Sequence, residues 1–263
     1  MKTVLSKMTT VWKASEPVSY SLKNETEVFH LNPLIGQQLS IQSSGKILCL
    51  ACGKKTSKSF QQGYCFPCSR KLASCDMCSV RPETCHFAKG TCREPEWGQA
   101  NCFIPHTLYL ANSSGLKVGI TRTRQRLTRW IDQGAIAAIP VINLDSRLAI
   151  GELESHFKQH FADKTNWRNM LKGGVEAIDL DEKRKTAIAL LPDGIGIPLT
   201  DARVDILYPV LEYPKKIVSL NFEKTPRIEG TLLGIKGQYL IFDTGVINIR
   251  SFSGCEVELV HIC

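Results

Sequence analysis

Nine of the eleven cysteines lie between Cys49 and Cys102, and several come as Cys-x2-Cys pairs. This clustering constrains the fold more than any other feature, because the segment holding it has too few large aliphatic residues to build a core. It must be folded by its ligands. In a reducing compartment such pairs read as metal ligands rather than disulfides. The clearer set is Cys49-x2-Cys52-Gly53, followed after twelve residues by Cys65-x2-Cys68. Each pair sets two thiolates on one side of a tight turn, and Gly53 lets the backbone aim amides at sulfur. Two such turns complete a tetrahedron. The expectation is a closed structural zinc site, with iron as the alternative. Four unligated buried cysteines fit poorly, since Lys54-Lys-Thr-Ser57 and Gln61-Gln-Gly63 around them are polar.

A second constellation runs Cys75-x2-Cys78, Cys85-His86, Cys92 and Cys102, which is more donors than one zinc ion needs. The expected ligands are Cys75, Cys78, Cys92 and Cys102, with Cys85 as the alternative, and an iron–sulfur cluster is the rival to zinc. Cys255 and Cys263 stand alone in a β-rich region and read as small core or terminal residues.

With 43% apolar and 22% charged residues, the chain is neither disordered nor collagen-like. The longest apolar run, Ala135 to Ile142, contains Pro140 and is far too short to span a bilayer. The first residues lack the continuous hydrophobic stretch of a secretory signal. The expectation is therefore a soluble, cytoplasmic protein with no membrane partner. Charge is uneven. Residues 103–172 hold 10 Lys+Arg against 5 Asp+Glu, a net of +5, whereas 173–263 hold 10 against 13, a net of −3. Lys117, Arg122, Arg124, Arg126 and Arg129 occur before any acid until Asp132. Such a stretch attracts a polyanion, DNA or RNA, with a solvated basic face as the plain alternative.

The hydrophobic pattern divides the chain into N-terminal β-strands (1–46), the cysteine-rich segment (47–105), a strand-then-helix module (106–185) and a C-terminal β-rich domain (186–263). Val18 to Leu31 reads as a strand pair with a break at Lys23–Thr26, and Gly36 and Gly45 bracket a short strand with Leu39 and Ile41. In the last segment Asp243-Thr-Gly245 reads as a hairpin turn, and the glycine spacing suggests a small sheet or barrel. The fold class is α+β, with a zinc-ribbon-like segment, a small α/β module and flanking strands forming a small barrel from both termini.

Thr107-Leu-Tyr109, a turn at Asn112-Ser-Ser-Gly115, Lys117-Val-Gly119 and the arginines before Trp130 resemble the core of the GIY-YIG nuclease superfamily. The resemblance implies a first-strand tyrosine that helps activate water, a helix arginine that stabilises the transition state, and a glutamate on a later helix that holds a divalent metal. Here these are Tyr109, Arg126 with Arg129 as the alternative, and Glu154 holding Mg²⁺ or Mn²⁺. Lys117 departs from the tyrosine of many members, although some phage-encoded branches also carry Lys-x-Gly, and its ammonium is placed to favour the Tyr109 phenolate. If residues 122–134 are helical, Arg122, Arg126 and Arg129 share one face at i, i+4 and i+7, while Leu127, Trp130, Ile131 and Gly134 share another. On the later helix Ile150, Leu153, Phe157 and Phe161 form the buried stripe, Glu154 lies at its edge and Glu152 points away. His156 and His160 lack a third ligand in register and read as surface residues.

Longer blocks carry a narrower resemblance. Gln62-Gly-Tyr-Cys65, Gly90-Thr-Cys-Arg-Glu-Pro-Glu-Trp-Gly98, Leu116-Lys-Val-Gly-Ile-Thr-Arg122, Arg129-Trp-Ile-Asp-Gln-Gly-Ala135, Thr165-Asn-Trp-Arg168 and Gly234-Ile-Lys-Gly-Gln-Tyr-Leu240 resemble an uncharacterised bacterial family, domain of unknown function 2797. It brings no activity with it. The leading functional reading is a zinc-binding, nucleic-acid-binding protein with metal-dependent GIY-YIG-type endonuclease activity, its basic contacts coming from Arg122, Arg124 and Arg129. A noncatalytic nucleic-acid adaptor and an iron–sulfur redox or sensor protein are the alternatives.

Overall fold

The computed structural model describes residues 1–24 and 26–262; Glu25, in the expected break after Lys23, and the expected terminal residue Cys263 lie outside the described residues. The N-terminal part holds β1 (Lys2–Val4), β2 (Thr9–Val11), β3 (Ser19–Lys23), β4 (Val28–His30), β5 (Gln38–Leu48), β6 (Lys55–Thr56) and α1 (Phe66–Lys71). The middle holds α2 (Pro95–Cys102), β7 (His106–Asn112), β8 (Leu116–Arg122), α3 (Arg126–Asp132), β9 (Ala137–Leu144), α4 (Arg147–Phe157), α5 (Trp167–Leu171) and α6 (Leu180–Ala189). The chain ends with β10 (Val204–Asp205), β11 (Arg227–Lys236), β12 (Tyr239–Phe242), β13 (Gly245–Asn248) and β14 (Cys255–Ile262). It divides into two compact units, Met1–Arg70 with Leu171–Gly173 and Ile206–Cys263, and Lys71–Met170 with Gly174–Asp205. Among the described residues no helix is long and apolar enough to cross a membrane.

The first unit is built on β5, which pairs antiparallel with both β11 and β14. Strands alternate as a half-buried sheet requires: Val257 and Leu259 are buried while Glu258 and Val260 are exposed. β5 does not stop at Gly45 as expected. Gly45, at φ +75°, sits where the register against β14 slips between Ser43 and Ile47, so a bulge absorbs the glycine and the strand continues to Leu48. The two termini join in one sheet through β1 and β14. The expected closure into a barrel does not occur: among the described residues the strand path β1-β14-β5-β11-β12-β13 is open. Its last strand is occupied otherwise, because Val246 donates to the Val218 carbonyl and accepts from Leu220 N–H. The Asp243-Thr244 turn joins β12 to β13 with Phe242 opposite Gly245. β2, β3 and β4 form a separate three-stranded sheet, and Asn24 Oδ1 caps the turn after β3 by accepting from the amides of Thr26 and Glu27.

In the second unit β7 lies between β8 and β9, with β10 beyond β9. All seven β7 residues are buried. Leu108, Leu110, Val118, Ile139 and Val141 pack against Ile150, Leu153 and Phe157 of α4 and Leu180 and Ala187 of α6. Each such aliphatic side chain removed from water contributes roughly 1.5–3 kcal/mol. The β7–β9 ladder slips between Leu108 and Tyr109, which faces Pro140, a residue with no N–H to offer. The expected helix over 122–134 is shorter: Arg122 ends β8, a 3-10 turn covers Thr123–Gln125, and α3 begins at Arg126.

Candidate functional site

Two places concentrate chemistry. The first follows directly from β5. The chain leaves the sheet at Leu48 and turns back through Cys49-x2-Cys52, with Gly53 N–H donating to the Cys49 carbonyl from a left-handed backbone (φ +69°). Cys65 immediately precedes α1 and Cys68 lies in its first turn. The sulfurs of Cys49, Cys52, Cys65 and Cys68 all lie within 4.8 Å of one another. Cys52 and Cys65 are 3.8 Å apart, the edge of a tetrahedron whose centre is about 2.3 Å from each sulfur. Burial raises the Cys49 thiol, but the backbone amides of Cys65, Cys52 and Ala51 outweigh it and bring the group down to about 6. Cys68 moves the opposite way, pushed up by Cys65, by burial and by the other two thiols. The donor set, the spacing and the amides aimed at Cys49 fit a structural zinc ion. This is the first expected metal set.

The second place is a polar cluster under β7 and β8. Tyr109 is fully buried, donates to Gln133 Oε1 at 2.9 Å, and meets the edge of Trp130 at 5.8 Å between ring centres. Its hydroxyl passes so close to Gly119 that a Cβ there would stand 2.7 Å from Oη, which is why the Lys-Val-Gly tripeptide ends in glycine. Burial raises the Tyr109 hydroxyl above its ordinary range, Glu154 adds to that, and the adjacent Arg129 guanidinium opposes it. Lys117 is also buried and donates to Thr165 Oγ1 at 3.3 Å. Burial, then Arg129, brings its ammonium down to about 8, against the pull of Asp163 and Glu154. Glu154 pairs with Lys158 at 3.2 Å, and Lys158 also faces Asp163 at 3.9 Å. Glu152 is exposed, as the helical spacing required, and so are His156 and His160.

Arg129 thus stands beside Tyr109, and Glu154 is near enough to act electrostatically on Tyr109 and Lys117, whereas Arg126 is engaged elsewhere. The expected shared face of arginines fails because Arg122 is on a strand. Its Nε donates to the Asn101 carbonyl at 3.0 Å and its guanidinium lies over Trp97, while Arg126 pairs with Asp201 at 3.2 Å. Arg124 is the one of the four that is exposed. Gln133, Asp163 and Thr165 were missed from sequence. Only their place in the blocks beginning at Arg129 and Thr165 pointed toward the first and last. In the second cysteine constellation, Cys78 comes within 4.8 Å of Asp76 and His86, a grouping that includes a carboxylate no spacing rule suggested.

Fold and site together define a mixed α+β protein carrying a tetrathiolate knuckle able to hold a metal. The chain belongs to the family described as protein of unknown function (DUF2797), whose model matches residues 36–257. No curated protein and no solved structure matches it.

Proposed function

We propose that this protein binds nucleic acid through the basic surface of its metal-knuckle unit. The observation that carries this reading is where the charge gathers once the chain is folded. The first unit holds 16 Lys+Arg against 9 Asp+Glu, a net of +7, and the second holds 17 against 16, a net of +1. Lys54, Lys55 and Lys58 are exposed between the two cysteine pairs; Lys58 Nζ lies over the Phe60 ring at 5.6 Å, and Phe60 packs against Phe66, which is 57% exposed. Ammonium groups beside an exposed ring suit a phosphate backbone with unstacked bases. The basic stretch 117–129 supports the reading less, because Arg122 and Arg126 are engaged within the second unit.

A second reading, phosphodiester cleavage, is favoured by one observation. Tyr109, Arg129 and Glu154 come from β7, α3 and α4 into one electrostatic cluster, the constellation the GIY-YIG resemblance implies. In this reading Arg129 takes the role first given to Arg126, and Tyr109 acts as a neutral hydroxyl. Mg²⁺ or Mn²⁺ at Glu154 competes with the Lys158 ammonium for the carboxylate. The test is fluorescence anisotropy with single-stranded DNA, duplex DNA and RNA at increasing salt, followed by cleavage assays with Mg²⁺ and Mn²⁺. Affinity that falls steeply with salt is expected, and absence of binding to all three overturns the proposal. If cleavage occurs, Glu154→Gln abolishes it and keeps binding, while Glu152→Gln changes neither. Equal cleavage by parent and Glu154→Gln sinks the catalytic assignment.

A further inference from the structure

The segment from Ala73 to Cys102 gathers a second set of thiols. It has no long helix until α2. Instead, single 3-10 turns at Met77–Ser79, Pro82–Thr84 and Phe87–Lys89 fold it back repeatedly. Cys78 lies within the first turn, Cys85 ends the second, Cys92 follows the third, and Cys102 closes α2. All four line one small cavity, together with Asp76 and His86, although no three of their sulfurs lie as close together as those of the first tetrad. Cys75, the ligand expected from the Cys-x2-Cys spacing, lies outside that lining. The cavity measures about 20 Å³, room for one body the size of a water molecule or a metal ion.

A second observation comes from outside the cysteine-rich segment. Arg147, the first residue of α4, stands beside Cys102 and Cys78. Its Nη2 donates to the Ser79 carbonyl, and its Nε is buried with no hydrogen-bond partner. A half-buried guanidinium with an unpartnered Nε has little around it to offset its desolvation. Four thiolates around a divalent cation carry a net charge of −2 and supply the missing counter-charge.

We propose that Cys78, Cys85, Cys92 and Cys102 form a second tetrathiolate site for one divalent transition metal of the zinc class, with Arg147 as its neighbouring counter-charge. Binding releases the protons that the thiols carry. In the competing set of Asp76, Cys78 and His86, the carboxylate and the imidazole are already engaged. The Asp76 carboxylate takes Arg93 Nε at 2.6 Å and faces His86 Nε2 at 3.5 Å, and His86 Nδ1 lies 2.8 Å from Thr91 Oγ1. That network lines the cavity wall. The site ties the cysteine-rich turns to the start of α4, whose seventh following residue is Glu154, and it does not depend on nucleic-acid binding.

The test uses the full chain, reduced and loaded with zinc or cobalt(II) alone, with metal counted by elemental analysis and the shell read by X-ray absorption. The parent is expected to hold about two equivalents, each with four sulfurs at about 2.3 Å. The double variant Cys85→Ser with Cys92→Ser is expected to keep one equivalent, and Cys75→Ser both. The parent spectrum stands by itself should the double variant fail to fold. One equivalent in the parent, nitrogen or oxygen in its shell, or iron with acid-labile sulfide overturns the proposal. Two equivalents retained by the double variant do the same.

Discussion

Lys117 is the residue whose chemistry is most displaced by the fold. An ammonium with an ordinary value of 10.5 is brought down to about 8 because β8 carries it under the sheet, where burial and then Arg129 oppose its charge. Between about pH 8 and pH 10.5 the unfolded chain therefore holds a proton that the folded chain has released. Stability contributed at this position rises with pH across that window and is lowest below it. Lys117→Met removes the titrating group while keeping length and apolar contact. The parent is expected to gain stability relative to this variant, by at most about 3 kcal/mol, as pH rises through the window. Paired urea titrations at several pH values measure the difference and cancel other titrating groups, including the similarly depressed Lys236. A constant gap between the two proteins rules the assignment out. The cluster around Lys117 also explains Tyr109: the hydroxyl is a donor to Gln133, and burial keeps it protonated at neutral pH.

At the scale of elements, α4 sets the position of Glu154, and its start is fixed by Ser146, whose hydroxyl oxygen accepts from Ala149 N–H at 3.2 Å. Ser146→Ala leaves that amide without its cap and is expected to lower stability by about 1 kcal/mol, read from the denaturation midpoint at unchanged slope. Ser146→Asp, which restores an acceptor beside the helix dipole, should recover most of it. A Ser146→Ala protein as stable as the parent shows that packing alone holds the helix. The stripe Ile150, Leu153 and Phe157 and the exposed Glu152 were legible from periodicity, but Phe161, expected to extend the stripe, lies past the end of α4 and is only half-buried. Two other elements were not legible. A glycine in a strand reads as an end, yet Gly45 lies within a bulge, because partners on both sides of β5 keep the strand going. Arg122 fits a helical face by count, yet it belongs to β8, because the ladder with His106 extends that far. In both cases long-range pairing overrides a local signal. In the second cysteine set the cause is local: spacing favoured Cys75 with Cys85 as the alternative, and a succession of one-turn folds brings Cys85, not Cys75, to the cavity lining.

For the whole molecule, what matters is how folding redistributes charge. Along the sequence the positive excess lies in 103–172, but the second unit also takes in 174–205, where Asp179, Asp181 and Glu182 open α6 and Asp201 pairs with Arg126. That nearly cancels the excess there and leaves +7 of the formal +8 in the unit built on β5. The long central strand delivers the knuckle at its end, so Lys54, Lys55 and Lys58 project from a support fixed by β6 and by the thiol tetrad. If these ammonium groups contact phosphates, each displaces about 0.9 of a counterion from duplex DNA. The triple variant Lys54→Gln, Lys55→Gln, Lys58→Gln should then lower the slope of log affinity against log salt by roughly two to three, with metal content unchanged. Arg124→Gln, at an exposed arginine of the other unit, should lower it by less than one. Anisotropy titrations across a salt series, on one oligonucleotide, give all three slopes. A triple variant with the parent's slope and an Arg124→Gln protein that loses most of it would move the footprint onto the second unit, because the slope counts phosphate contacts regardless of sequence or affinity.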